Sequence, residues 1–404
     1  MSWETVRFGD LYAVESRNGL TKPGKVRGSG YKMINMGELF ANDRIYDIPM
    51  EFVPLKESEK LNARVECGDL LFARQSLVLE GAGKCSIVME VSPLTVFESH
   101  LIRVRLDRSQ ALPMFYYYYF RSSLSPVKSI VSQCAQAGIR GSDLQELQVI
   151  LPPIKVQQRI AEIISRYDDL IENNQKQIKL LEEAAQRLYK EWFVDLRFPG
   201  HETTPVVDGI PEGWRMCTAG DVIVFNPKTQ LTKGRIKQSV PMSALSTSSM
   251  VLNSSEFTMT ESNSGSKFRN GDTLLARITP CLENGKTAFV AGITSEEGAV
   301  GSTEFIVMRA KKINPYMVYL HARTEEFRKT AINSMTGSDG RQRAQVDKIM
   351  QFPYLLAPQS ILEAFSQLVE PIFEQVYLKN SQIAQLSQAR DRLIPKLMNR
   401  EIEV

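Results

Sequence analysis

The sequence has few of the residues that usually build metal sites and disulfide frameworks. Its 404 residues include five cysteines and three histidines. No Cys-x-x-Cys spacing occurs, and His100, His201 and His321 lie far apart in the chain. A zinc site and a histidine-based triad are therefore not expected, and the cysteines are predicted to be isolated reduced thiols of a cytosolic protein. The cysteines are Cys67, Cys85, Cys134, Cys217 and Cys281.

The sequence also lacks a strong charge imbalance and any long apolar run. Lys and Arg number 49 against 46 Asp and Glu, a net charge of +3. Nucleic-acid binding therefore has to be argued from local clusters of charge. No stretch approaches the length of a membrane span, and Met1 to Arg7 has no apolar signal region. A cytoplasmic location is expected.

Motifs for cofactor chemistry are incomplete. The segment from Asn226 to Thr229 lacks the second proline and the aromatic ring of an adenine-methyltransferase motif. Gly285-Lys286-Thr287 ends like a P-loop, but Pro280 stands at the first glycine position. Gly28-Ser29-Gly30 has Met33 where a dinucleotide-binding fingerprint needs glycine. No catalytic, cofactor-binding or metal-binding residue is assigned, and no cofactor is expected.

What the sequence does contain is an internal repeat. Gly68 to Arg74 (GDLLFAR) returns as Gly271 to Arg277 (GDTLLAR), at an offset of 277 − 74 = 203 residues. This period is too long for a solenoid, whose units have about 20–50 residues. The sequence therefore predicts a duplicated domain with its linker, which suits a two-part target better than a single catalytic pocket. Further matches in the same order are Trp3 with Trp214, Leu20 to Lys22 with Leu231 to Lys233, Gly83-Lys84 with Gly285-Lys286, Leu101 to Arg105 with Phe305 to Arg309, and Pro113 with Pro315.

Each copy begins with a part that predicts a mixed α/β domain. The runs from Ile87 to Val91 and from Leu101 to Leu106 are rich in β-branched and apolar residues, which is typical of strands. Met114 to Ser122 follows Pro113 and is predicted to be a helix. The second copy repeats this part from about Ile210 to Leu356.

Each copy ends with a long heptad pattern. Residues 154–193 contain no Gly or Pro, and their apolar positions follow steps of four and three. The second copy shows the same steps between Phe365 and Leu397. Because a single apolar stripe is not stable alone, we expect the two helices to pair as an antiparallel coiled coil. Asn174 and Lys379 interrupt the two seams; they either fix the register or are tolerated at a partly exposed seam.

These features resemble the DNA specificity subunit of type I restriction–modification enzymes over essentially the whole length. The resemblance rests on Leu151 to Ile164 (LPPIKVQQRIAEII), which opens the first long helix, and Trp192 to Gly200 (WFVDLRFPG), which closes it. It rests also on Gly209 to Trp214 (GIPEGW) and on the repeated Gly-Asp motif. One departure is the segment from Pro358 to Phe365, which lacks the doubled proline and the Gln-Gln-Arg of its first-copy counterpart.

The resemblance implies a mixed α/β fold with two tandem globular target recognition domains separated by the two long helices. Residues 1–153 and 199–357 would be the recognition domains, and residues 154–198 and 358–404 the helices. Each domain would read one half of a bipartite, asymmetric site in double-stranded DNA, and the helices would set the unread gap. The subunit would carry no chemistry. Its implied partners are two modification subunits, which bind S-adenosylmethionine and methylate adenine, and two restriction subunits in the full complex.

Two stretches rich in basic residues and free of acids are candidate DNA contacts. Residues 16–37 and 222–255 contain no Asp or Glu. Positive charge in glycine-rich loops suits phosphate contact, and the alternative is ordinary solvated surface. The candidates are Arg17, Lys22, Lys25 and Arg27 in the first copy and Lys228, Lys233, Arg235 and Lys237 in the second.

The repeated motif supplies further candidates. Arg74 with Gln75, and Arg277, have side chains suited to reading guanine and adenine; the alternative is an ion pair with Asp69 or Asp272. Lys84 and Lys286 are either DNA contacts or ordinary turn residues. Arg140, Arg341 and Arg343 lie in glycine-rich loops that either reach DNA or are solvated.

Residues Tyr116 to Tyr119 look like a stacking platform, but packing within a helix is favoured because their second-copy counterparts are mostly not aromatic. Two alternative functions are an enzyme with a fused methyltransferase or nuclease, which the missing motifs oppose, and a coiled-coil scaffold without a DNA role, which the paired basic loops oppose.

Overall fold

The computed structural model describes residues 3–133, 137–338 and 340–404. Within this part it contains ten α-helices and 25 β-strands. None of these helices is both long and apolar enough to span a membrane. In the first half of the chain they are β1 (Glu4–Arg7), β2 (Tyr12–Asn18), β3 (Tyr31–Ile34), α1 (Met36–Ala41), β4 (Arg44–Ile45), β5 (Glu51–Val53), α2 (Glu57–Asn62), β6 (Leu70–Ala73), β7 (Gln75–Ser76), β8 (Cys85–Val88), β9 (Val96–Phe97), β10 (Leu101–Leu106), α3 (Pro113–Arg121), β11 (Ser132–Gln133), β12 (Ala137–Gly138), α4 (Gly141–Gln145), β13 (Gln148–Leu151) and α5 (Ile154–Phe193).

The second half repeats this order with small changes. Its elements are β14 (Val206–Val207), β15 (Ile210–Pro211), β16 (Arg215–Thr218), α6 (Ala219–Val222), β17 (Ile223–Phe225), β18 (Lys237–Val240), β19 (Thr258–Thr260), β20 (Ser266–Phe268), β21 (Thr273–Ala276), β22 (Thr287–Phe289), β23 (Ala299–Gly301), β24 (Phe305–Ala310), α7 (Pro315–Ala322), α8 (Glu325–Asn333), α9 (Val346–Met350), β25 (Pro353–Leu356) and α10 (Gln359–Met398).

The chain divides into two compact units, and each of the two long helices contributes to both. The first unit comprises Met1–Leu170 and Gln385–Val404, and the second comprises Ile171–Ala384. The division into recognition domains and helices that the sequence suggests stays a prediction, because these units cut across α5 and α10.

In the first unit a five-stranded sheet in the order β2-β10-β6-β8-β4 carries the core. Its central strand β6 is buried on both faces because it is a run of apolar residues. Alternation along the strand sends Leu70 and Phe72 to a core shared with α3, and Leu71 and Ala73 to a core shared with β3 and β9.

Helix α3 confirms that the tyrosine run is a packed helix. Tyr116, Tyr117, Tyr118 and Tyr119 are all buried, with at most 5% of their surface exposed. Pro113 occupies the first turn, where its missing N–H costs no hydrogen bond.

The second unit repeats the pairings of the first. A sheet in the order β17-β24-β21-β22 takes the place of β2-β10-β6-β8, and β19-β18-β23 takes the place of β5-β3-β9. In both units the strand that ends before Arg74 or Arg277 pairs antiparallel with the long strand β10 or β24. The duplication read from the sequence is therefore present in the sheet topology.

Helices α5 and α10 pack together inside each unit, in antiparallel order. In the first unit Ile160 and Ile164 of α5 share a core with Ile394 and Leu397 of α10. In the second unit the Trp192 ring lies 5.6 Å from the Phe365 ring, centroid to centroid. Early residues of α5 thus meet late residues of α10, and late residues meet early ones. This confirms the predicted antiparallel pairing.

The two polar seam residues differ in their surroundings. Asn174 is 9% exposed, and its side-chain amide donates a hydrogen bond to Gln382 Oε1 at 3.4 Å. Lys379 is half-buried. A buried, hydrogen-bonded amide favours a particular register, so Asn174 fits the first of the two interpretations.

Candidate nucleic-acid interface

The Gly-Asp motif of each unit is held by a buried ion pair that the sequence interpretation missed. Asp69 accepts hydrogen bonds from Arg105 Nε at 2.7 Å and Arg105 Nη2 at 2.8 Å. Asp272 accepts the matching bonds from Arg309, both at 2.7 Å. Each aspartate side chain is 1% exposed.

The suggested ion pairs of Arg74 with Asp69 and of Arg277 with Asp272 are therefore wrong, because strand β10 or β24 supplies the partner. The signal was available in the sequence. Arg105 and Arg309 close matching runs of the repeat, at an offset of 309 − 105 = 204, and residues facing a repeated aspartate across a sheet are candidate partners.

In the first unit, Arg74 and Gln75 lie beside the glycine-rich loop that follows β12. Ile139 donates its backbone N–H to the Arg74 carbonyl at 2.9 Å, and Gln75 is aligned with Gly138 in a small sheet. Arg74 Nη1 donates to the Ser99 carbonyl at 3.4 Å, and the other guanidinium donors of Arg74 have no hydrogen-bond partner among the residues that the structure describes. Arg140, next along, is exposed at the start of α4. The fold thus brings Arg74 and Gln75 beside the loop of Arg140, which lies 65 positions beyond Gln75 in the chain (140 − 75).

The basic loop after β2 approaches the same place. Ser99, which accepts from Arg74, donates its backbone N–H to the Leu20 carbonyl at 3.0 Å. Gln145 of α4 donates to Ser16 Oγ at 3.4 Å. Arg17, the next residue of β2, is exposed and is aligned with Arg103 of β10. We call Arg74, Gln75 and Arg140 the first polar cluster.

The second unit builds the corresponding junction. Ala344 donates its backbone N–H to the Arg277 carbonyl at 2.8 Å. Glu304 accepts hydrogen bonds from Arg343, the shortest at 2.7 Å, and these bonds hold the pKa of the Glu304 carboxyl below its usual range. Arg277 Nε is buried and has no hydrogen-bond partner among the described residues. Arg341 is exposed at the tip of the adjoining loop, whose Asp339 lies outside the described residues.

Several of the basic candidates are paired with acids from distant parts of the chain. Lys22 Nζ lies 2.8 Å from Glu59 Oε2, and Arg235 Nη1 lies 2.8 Å from Glu297 Oε1. Arg27 pairs with Glu51. The two acid-free stretches of sequence therefore have acidic neighbours in the folded chain. These acids partly neutralise the positive charge that the sequence predicted for the loops.

Three lysines are fixed to backbone carbonyls. Lys84 donates to the Phe40 carbonyl at 2.8 Å and Lys286 to the Met242 carbonyl at 2.9 Å. Lys237 is 3% exposed and donates to the Glu261 carbonyl at 3.1 Å. Lys84 and Lys286 brace matching turns of the two units, which fits the turn-residue interpretation.

Other candidates remain open to solvent. They are exposed and form no ion pair with any other residue that the structure describes. These residues are Arg17, Lys25 and Arg140 in the first unit and Lys228, Lys233 and Arg341 in the second.

The structure gives no candidate for metal chemistry among the residues it describes. Within residues 3–133, 137–338 and 340–404, no three His, Cys, Asp or Glu side chains are placed to hold an ion. The described cysteines are free thiols, and Cys134 lies outside the described residues. Thr287, the last residue of the incomplete P-loop motif, is buried at the start of β22.

Comparison with known proteins places the chain in a family. Residues 1–183 match the family model described as the type I restriction modification DNA specificity domain. The chain is 24% identical to the type I restriction enzyme MjaIX specificity subunit of Methanocaldococcus jannaschii, over 94% of this chain and 92% of that protein. It is 32% identical to the EcoAI specificity subunit of Escherichia coli, over 40% of this chain and 28% of that protein.

A solved structure has a similar fold. The crystal structure of the type I restriction–modification S subunit from M. genitalium aligns with a TM-score of 0.55 at 14% identity, covering 98% of this chain and 96% of that one. The family model and the relatives carry the assignment beyond the fold. The chain belongs to the DNA specificity subunits of type I restriction–modification systems, the non-catalytic component of that complex.

Proposed function

We propose that each unit of this specificity subunit reads one half of a bipartite, asymmetric site in double-stranded DNA. One observation carries the proposal: both units join an arginine-ended strand to a glycine-rich loop by the same backbone hydrogen bond, Ile139 to Arg74 and Ala344 to Arg277. Duplicated scaffolds that present arginines from equivalent positions suit a target with two similar but distinct parts.

Within each half, base reading and phosphate contact are divided among different side chains. Arg74, Gln75 and Arg277 are half-buried and held at the base of the loops, where Arg suits guanine and Gln suits adenine. The exposed cations Arg17 and Lys228 are matched in the repeat, and exposed cations suit phosphates. Because Lys237 is buried on a carbonyl, it supports the fold of the second unit and reaches no phosphate.

The long helices set the unread gap and dock the modification subunits. In support, α5 and α10 contribute to both units, and they carry exposed leucines off the seam. Leu170, Leu180, Leu368 and Leu378 are each at least 50% exposed, and apolar side chains presented to water on a helix suit a protein partner. The complex contains two modification subunits, which bind S-adenosylmethionine and methylate adenine, joined by two restriction subunits, and it acts in the cytoplasm.

The test is the methylated motif made by the chain with its modification subunits. Arg74→Ala is expected to relax or shift one half-site only, and Arg277→Ala the other only, by about 1–3 kcal/mol per base read. Lys179→Ala, an exposed cation on α5 with its side chain 78% exposed, is the matched control and leaves the motif unchanged. An equal effect of either arginine variant on both half-sites contradicts independent recognition.

A second assay tests the enzymatic alternative. The purified chain, incubated alone with S-adenosylmethionine and DNA, is expected to transfer no methyl group, and addition of the modification subunits restores methylation. Methylation by the chain alone overturns the proposal.

A further inference from the structure

An apolar tip projects next to the first polar cluster. Leu77, Val78 and Leu79 directly follow β7 and are 90%, 59% and 47% exposed. Three consecutive apolar side chains in water lose the free energy that burial supplies, about 25 cal/mol per Å² of apolar surface. Contiguous apolar side chains that are exposed to solvent often mark a contact site.

Hydrogen bonds tie the backbone around the tip. The Val78 N–H donates to Ser76 Oγ at 3.2 Å. Gly81 N–H donates to the Val78 carbonyl at 3.2 Å, and Gly83 N–H to the Ala73 carbonyl at 2.8 Å. A Cβ at Gly81 would lie 2.2 Å from Ser76 Oγ, so the turn closes only with glycine there. Leu77 therefore lies in a turn whose backbone is hydrogen-bonded.

The neighbours of the tip indicate its occupant. Gln75 begins β7 two residues before Leu77, and Arg74 directly precedes Gln75. Gly138 is aligned with Gln75, and Arg140 follows Gly138 by two residues. Three apolar residues are far fewer than the 20–30 per side, roughly, that form a stable protein interface. An exposed apolar side chain close in sequence to guanidinium and amide donors fits the edge of a base pair. The apolar group that base pairs present in the major groove is the thymine methyl group.

The second unit does not offer the same tip. Pro280 takes the place of Leu77 in the repeat, and Leu282, which matches Leu79, is fully buried. The feature thus belongs to one half of the recognised site.

We propose that Leu77 reads the C5-methyl group of a thymine in the half-site bound by the first unit. This inference rests on the proposed DNA-reading function of that unit and adds an apolar specificity contact to its polar ones. The contact forms between the Leu77 side chain and the methyl group beside the base read by Arg74 or Gln75.

A chemical double-mutant cycle tests this contact. The chain is assembled with its modification subunits, and its affinity is measured for duplexes in which each thymine of the motif is replaced in turn by uracil, which lacks only the methyl group. At one position of the first half-site, uracil is expected to weaken binding about three- to tenfold. Leu77→Ala weakens binding to the normal duplex by a similar factor, and uracil at that position then costs nothing further.

Leu61→Ala is the matched control, because Leu61 is 83% exposed on α2 and its truncation is expected to leave binding unchanged. Tolerance of uracil at every position, unchanged binding by Leu77→Ala, or additive losses each overturn the methyl contact. Failure of the wider function has a different signature: in that case Arg74→Ala and Arg277→Ala fail to act on separate half-sites, whatever Leu77→Ala does.

Discussion

The most direct structural test concerns a buried ion network inside the first unit. It joins β4 and α3 to the segments of α5 and α10 that belong to this unit. Asp168 of α5 is 6% exposed; its Oδ1 accepts from Arg390 of α10 at 2.5 Å and its Oδ2 from the Tyr118 hydroxyl at 2.9 Å. Arg44 Nε lies 3.6 Å from Asp168 Oδ2, and Arg44 Nη1 lies 2.6 Å from Asp169 Oδ1. Burial by itself would lower the pKa of Arg44. The interactions with Tyr118 and the two carboxylates outweigh this effect and raise the pKa above its ordinary value, so the guanidinium stays charged.

Asp168→Asn is expected to lower the free energy of unfolding by about 3 kcal/mol. Removal of one partner from a buried ion pair usually costs about 3–5 kcal/mol, because the other charge stays buried without compensation. The lower end applies here, since Arg44 keeps Asp169 and Arg390 keeps Asp391, whose Oδ1 lies 2.8 Å from Arg390 Nη2. For a unit of this size the loss corresponds to a fall in melting temperature of about 6–12 °C.

Urea and thermal unfolding followed by circular dichroism measure this loss. The control is Glu325→Gln, which breaks a surface pair with Lys329 whose side chains are 73% and 68% exposed; it is expected to leave the free energy of unfolding almost unchanged. A triple variant, Arg44→Met with Asp168→Leu and Arg390→Leu, removes all three charges and should regain most of the stability. The reasoning fails if Asp168→Asn destabilises no more than Glu325→Gln.

Three further predictions follow from the same contacts. Asp69→Asn and Asp272→Asn should each lower the free energy of unfolding by about 3 kcal/mol, and a difference above about 2 kcal/mol between them in urea unfolding would mean that the repeated ion pairs are not equivalent. Burial lowers the pKa of His321 to about 3 from its ordinary 6.5; stability is therefore full above about pH 6.5 and falls by roughly 1.4 kcal/mol per pH unit below it. His321→Phe should abolish that slope in unfolding measured from pH 7 to pH 5, and a persistent slope assigns it to another group. Four residues inserted after Asn174 add about 6 Å of helix and should lengthen the unread gap by about one or two base pairs; an unchanged gap in the methylated motif of an active variant would show that the helices are not the ruler.

The two ends of the helix pair illustrate what a repeat does not reveal. At the repeat spacing, Asp168 corresponds to Phe373 and Arg390 to Ala185, and both of these are 1% exposed. The helix junction is therefore ionic in the first unit and apolar in the second. The heptad pattern located the seam of each helix, but it did not indicate that the seam is ionic at one end and apolar at the other. The heptad period carries no information about which side chain of the partner helix faces a given seam position.

The sequence by itself determined the duplication and the long helices. The heptad period and the lack of Gly and Pro predict a helix over residues 154–193, and the structure has the helix Ile154–Phe193. Strand β10, Leu101–Leu106, also matches its predicted bounds, whereas the predicted strand from Ile87 to Val91 ends three residues early, at Val88. These features are local: period, turn residues and repeated motifs are written in neighbouring positions.

Only the tertiary structure decided which basic residues remain free. The acid that pairs with Lys22 is 37 residues away, and the one that pairs with Arg235 is 62 residues away, so no local pattern identifies them. The same folding buried Lys237 and brought Arg74 and Gln75 beside the loop of Arg140. Charge, burial and hydrogen bonding depend on neighbours in space, and strand pairing supplies those neighbours from distant parts of the chain.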